Sequence, residues 1–124
     1  MISILLVDDD AAMRNAIKKI LLKANYRVVE ACDGREALKI FNQSPTDLVV
    51  TDLIMPETEG IELIVNLRNR HPPVTVIAIS GGGRSSPENY LAMATALGAC
   101  QALSKPFLPE ELLAAVESAL APQN

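Results

Sequence analysis

Four short runs carrying Val, Ile and Leu, and a shorter fifth, recur along the chain, each followed by a longer stretch whose apolar residues return every three to four positions. Strand-length apolar runs alternating with helix-period segments can bury both faces only as βα units around a parallel sheet. The strands are expected near Ile2 to Val7, Arg27 to Ala31, Leu48 to Thr51, Val74 to Ile79 and Gln101 to Ser104. The first helix should present Met13, Ile17, Ile20, Leu21 and Ala24 on one face, and Asp33 with Glu36 three residues on gives the second a capping-box opening. The third is expected from about Glu59 until Pro72 and Pro73 halt it, and the fourth from Ser86 and Pro87 to Gly98. The fifth begins at Pro109 and buries Leu112, Leu113, Val116 and Leu120.

Three of these strands finish in oxygen ligands. Asp8, Asp9 and Asp10 follow the first run, Asp52 ends the third, and Ser80 ends the fourth. In an open parallel sheet the carboxyl ends of the strands share one edge, where ligands bind, so these residues can converge on one pocket. Clustered acids repel by about 4 kcal/mol per pair at roughly 4 Å and an effective dielectric of about 20, so the cluster must raise its pKa values or take up a cation. Asp9 and Asp52 offer hard oxygens of the kind Mg²⁺ prefers. Lys105 after the last strand supplies a positive charge for a phosphate oxygen, and the Ser80 hydroxyl can donate to another. Together these are the parts for phosphoryl transfer to a carboxylate, with Asp52 as nucleophile.

Length and composition restrict the alternatives. At 124 residues the chain fits a single domain, 1–124. A net charge of −4 and a pI near 4.9 argue against the basic footprint of a nucleic-acid binder, so no direct nucleic-acid partner is expected. The start carries no basic, apolar leader pattern and no run reaches the roughly 20 apolar residues of a membrane span, so a soluble cytoplasmic protein is expected. Cys32 and Cys100 form no CxxC motif and read as two reduced thiols, and His71 has no nearby partner for zinc. The Gly81-Gly82-Gly83-Arg84-Ser85-Ser86 segment is either a loop that moves or approaches a phosphate, or a plain connection.

The motifs Leu6-Val7-Asp8-Asp9, Asp52-Leu53-Ile54-Met55-Pro56 with Gly60, Ser80-Gly81 and Lys105-Pro106-Phe107 occur in order, each at an expected strand end. With them the whole chain resembles the receiver domain of two-component response regulators. The resemblance implies a five-stranded, doubly wound, flavodoxin-like (βα)5 sheet of order 2-1-3-4-5. That order puts Cys32 and Cys100 near opposite edges, roughly 19 Å apart, which excludes a disulfide between them. It implies that Asp52 is the phosphoacceptor, taking a phosphoryl group from a histidine kinase or histidine phosphotransfer protein. It further implies Mg²⁺ bound directly by Asp9 and Asp52, by Asp8 mostly through water, and by the Ile54 backbone carbonyl. Lys105 would pair with the phosphoryl oxygens, Ser80 would rotate to hydrogen-bond them, and the bond before Pro106 would be cis. Asp10 has no family role and is expected to cap the first helix.

The pattern departs from the family at Ala102, where many receivers carry Tyr or Phe that moves with the Ser or Thr. Either the signal then runs through Ser80 and the following segment, about three residues longer than usual, or this receiver signals weakly. The fourth helix leaves Leu91, Ala92, Thr95 and Ala96 outward, and with strand five and helix five it forms the expected surface for dimerisation or partner docking. Arg14, Lys18, Lys19 and Lys23 make the first helix basic, either for kinase docking or as a solvated face. The leading reading is a stand-alone receiver, a phosphoacceptor signalling protein rather than an enzyme, which promotes its own phosphorylation and dephosphorylation and signals through an unknown downstream protein. The alternative is a receiver-like interaction module whose output is independent of phosphorylation. A phosphatase of the haloacid-dehalogenase type is disfavoured by Ile54 where a second acid is needed, and a flavin carrier by the scarcity of aromatic rings.

Overall fold

The computed structural model describes residues 1–52, 59–81 and 101–121. Five parallel strands, β1 (Ser3–Val7), β2 (Arg27–Ala31), β3 (Leu48–Asp52), β4 (Val76–Gly81) and β5 (Gln101–Lys105), form one sheet in the order β2-β1-β3-β4-β5. Helices α1 (Ala11–Lys23), α2 (Gly34–Gln43), α3 (Glu59–Arg70) and α4 (Pro109–Leu120) connect and cover it. The helix expected over 86–98, and with it the glycine segment after Gly81, Cys100, Ile54 and the outward face at Leu91 to Ala96, lies outside the described residues, while Gly81 itself closes β4. No helix among the described residues is long and apolar enough to cross a membrane.

The period of two along each strand divides the core. Leu5, Val7, Val49, Val76 and Ala78 pack with Ala37 and Phe41 of α2 and Leu63, Ile64 and Leu67 of α3. Ile4, Leu6, Leu48, Val50, Ile77 and Ile79 pack with Ile17 and Leu21 of α1 and Leu112 and Val116 of α4 on the other face. All five residues of β3 are buried, as befits the central strand of a sheet covered on both sides. Each large side chain so buried contributes about 1.5–3 kcal/mol. On α1, Met13 and Ile20 are only partly buried, and on α4 the buried set is Leu112, Ala115, Val116 and Ala119 while Leu113 and Leu120 sit half-exposed. The tight α4 packing therefore uses alanines that sequence hydropathy alone does not single out.

Caps fix the helix starts. The Asp10 carboxylate accepts from the Ala12 and Met13 amides at 3.0 and 3.2 Å. Asp33 accepts from the Glu36 amide at 2.7 Å, and Glu36 answers one residue early, accepting from the Cys32 amide at 3.1 Å. Cys32 is exposed. Asn25 follows α1 with φ 70°, a left-handed position that Asn tolerates better than most residues. The Lys105-Pro106 peptide is cis.

Candidate functional site

Strand register assembles the pocket. Val7 pairs with Thr51 and Asp52 with Ile79, while Ser80 and Gly81 pair with Ser104 and Lys105. The residues after β1, at the end of β3 and at the end of β5 therefore meet on the carboxyl edge. One carboxylate oxygen each from Asp8, Asp9 and Asp52 lies within 4.8 Å of the others. Asp8 and Asp52 are buried and Asp9 is exposed. Lys105 reaches in from β5, with Nζ 3.2 Å from Asp52 Oδ2 and 3.8 Å from Asp8 Oδ2.

Among the described residues, three carboxylates against one ammonium leave the pocket net negative. Burial pushes the Asp8 carboxyl above its ordinary value, the Asp10 amide donating at 2.9 Å pulls it down, and the Asp52 carboxylate pushes it up again. Lys105 lowers and Asp9 raises it by lesser amounts. Burial and charge repulsion thus outweigh the partners that favour the anion. The donor set, carboxylate oxygens of two buried residues and the exposed Asp9, suits a hard divalent cation such as Mg²⁺. On the neighbouring strand β4, Ser80 Oγ is fully buried and has no hydrogen-bond partner among the described residues. A buried hydroxyl without a partner costs about 1–3 kcal/mol, a penalty that an incoming acceptor would remove. Thr51, equally buried, is satisfied by donating to the Asp52 carbonyl at 3.2 Å.

Of the residues singled out in the sequence, Asp8, Asp9, Asp52 and Lys105 converge and Ser80 lies on the neighbouring strand at the same edge; Ile54 lies outside the described residues. Asp10 faces away as the cap of α1. Ala102 sits half-buried within β5, paired with Ala78. Sequence reasoning missed the role of Arg14 and Glu30 behind the Asp8 loop. Arg14 Nη1 donates to the Asp8 carbonyl at 2.7 Å and its Nε to Glu30 at 3.2 Å. The only available signal was the i, i+4 spacing of Arg14 and Lys18, both of which reach Glu30.

A doubly wound parallel sheet whose carboxyl edge holds buried carboxylates bridged by a lysine defines an α/β protein of flavodoxin-like topology with an acidic cluster at that edge. The chain belongs to the response regulator receiver domain family, whose model matches residues 4–117. It is 34% identical over 120 residues to the chemotaxis protein CheY of Listeria monocytogenes, covering 96% of this chain and 98% of that one. It is 35% identical to the response regulator GtcR of Aneurinibacillus migulanus over 95% of this chain, which spans only 47% of that relative. Its fold matches a CheY-like receiver domain from Methanospirillum hungatei at a TM-score of 0.86 and 30% identity, over 97% of this chain and 94% of that one. Receiver domains are signalling modules of two-component systems; the family binds Mg²⁺ at an acidic pocket and interacts with histidine kinases or phosphotransfer proteins.

Proposed function

We propose that this chain is an Mg²⁺-dependent phosphoacceptor that takes a phosphoryl group on Asp52 from a histidine kinase or histidine phosphotransfer protein in the cytoplasm. The observation that carries the reading is the ion pair of Lys105 with Asp52 inside the Asp8, Asp9, Asp52 cluster. An Asp52 carboxylate oxygen attacks the phosphorus, the P–N bond to the donor imidazole breaks, and the imidazole leaves with the electron pair and takes up a proton. Asp8, Asp9, Asp52 and the Ile54 carbonyl would hold Mg²⁺, which supplies positive charge against the phosphoryl oxygens.

Lys105 already bridges two carboxylates, so it can pass to a phosphoryl oxygen over a short distance. Ser80 offers its unpartnered hydroxyl to a second oxygen, tying β4 to the state of Asp52. With Ala102 on β5 contributing no ring, the signal leaves through β4 and the segment after it, toward a contact with a downstream protein or a second copy. Incubation with Mg²⁺ and acetyl phosphate tests the reading. The parent gains one phosphoryl group, and Asp52→Asn or chelation of Mg²⁺ abolishes the gain. A parent that gains none, or an output contact identical with and without the phosphoryl mimic beryllofluoride, contradicts it; the second result favours a module that ignores phosphorylation.

A further inference from the structure

Arg14 lies in the first turns of α1 and its guanidinium spans two other elements. Nη1 donates to the Asp8 carbonyl at 2.7 Å while Nε donates to Glu30 Oε1 at 3.2 Å. The second Glu30 oxygen accepts from Lys18 Nζ at 3.0 Å, so the carboxylate is held at both ends and fixes the plane of the guanidinium. Register explains the meeting. Glu30 on β2 pairs with Leu6 on β1, and Leu6 packs on the face covered by α1.

Asp8 is consequently gripped on every polar side of its backbone. Its amide donates to the Ala31 carbonyl at 3.2 Å, its carbonyl accepts from Arg14, and its carboxylate accepts from the Asp10 amide at 2.9 Å. Arg14 touches no carboxylate of the pocket among its described contacts; what it holds is the Asp8 main chain. A planar fork is needed to join a carbonyl and a carboxylate at once, and a lysine ammonium cannot reproduce it.

We infer that Arg14, oriented by Glu30, is a positioning residue for the cation pocket: it locks the Asp8 carbonyl and so aims the Asp8 and Asp9 carboxylates at Asp52. This rests on the reading of the pocket as an Mg²⁺ site. The test is calorimetric titration of MgCl₂ into the full chain and its variants, with amide hydrogen exchange at Asp9 and Asp10 measured in metal-free buffer. Arg14→Lys and Glu30→Ala weaken Mg²⁺ binding about 10-fold, the usual scale for groups that hold a ligand in place. The same two variants speed exchange at Asp9 and Asp10. Glu30→Gln keeps an oxygen for Arg14 Nε and restores both readouts, and Lys19→Gln, which removes a charge from the same helix and leaves the Arg14 and Glu30 contacts in place, changes neither. Parent-like Mg²⁺ affinity in Arg14→Lys and Glu30→Ala overturns the inference, as does an equal loss in Lys19→Gln, and both results leave the Mg²⁺ reading standing. A parent that takes up no Mg²⁺ overturns the reading and the inference together.

Discussion

Replacing Asp8 by Asn stabilises the metal-free protein. Asp8 is 1% exposed, and one oxygen each of Asp8, Asp9 and Asp52 lies within 4.8 Å of the others. At an effective dielectric of about 20 and that separation, each like-charge pair costs about 3.5 kcal/mol. Ionised Asp8 faces two such neighbours, and the Lys105 ammonium at 3.8 Å returns one attraction of about 4.4 kcal/mol. Asp9 is exposed and Lys105 partly so, and solvent screening reduces both contributions, which leaves a net gain of about 1–2 kcal/mol for the neutral side chain. Asn retains an oxygen for the Asp10 amide, so the loop geometry survives.

The effect has a definite pH signature. Burial, the largest cause, and the Asp52 charge raise the Asp8 carboxyl in the folded protein, so its penalty is present where the folded group is ionised. As pH falls the parent takes up the proton first in the folded state, and the gap between parent and variant closes, vanishing below the ordinary value of 3.8. Thermal unfolding followed by circular dichroism in EDTA reads this directly. The variant melts about 4–8 °C higher at neutral pH, converging with the parent in acid, and saturating Mg²⁺ narrows the gap because the parent gains the stronger ligand. A variant that melts below the parent at neutral pH in EDTA, or a gap that widens in acid, refutes the electrostatic account of the pocket.

Asp10→Ala loses the cap of α1 and about 1 kcal/mol in denaturant unfolding, most of which Asp10→Ser recovers. Ser80→Ala removes a buried unpartnered hydroxyl and stabilises the unphosphorylated protein by about 1 kcal/mol, while the phosphorylated fraction at fixed acetyl phosphate falls. The Lys18 hydrogen bond, reinforced by Arg14, holds the Glu30 carboxyl below its ordinary value of 4.5. Lys18→Ala therefore raises it in a carboxyl carbon NMR titration. The stability this pair contributes is present above 4.5 and is lost as pH falls through the folded value; at its partial exposure it stays well under 1 kcal/mol.

The fold was legible because each layer repeats one rule: a buried parallel strand needs a continuous apolar run, and each covering helix needs an apolar face. Asp10 and Asp33 marked helix starts by chemistry that is local in sequence, and both act as caps. The limits of β4 were not legible. Val74 is apolar and buried, yet its amide closes a turn by donating to the His71 carbonyl, so the strand begins only at Val76. At the other end Ser80 and Gly81 continue the strand through main-chain pairing with Ser104 and Lys105, which side-chain polarity conceals. The carboxylates were legible because they sit at strand ends that parallel topology gathers. Arg14 and Glu30 were not, since their meeting depends on the β1-β2 register, and a basic helix face read alone suggests solvent or a partner.

A phosphoryl group on Asp52, as proposed, leaves a chemical mark at that position. Borohydride reduction converts an aspartyl phosphate to homoserine, which peptide mass spectrometry locates. After incubation with Mg²⁺ and acetyl phosphate, homoserine appears at position 52 and is absent when Mg²⁺ is chelated. Homoserine at Asp8 or Asp9 with an unchanged Asp52, or at no position, contradicts the account.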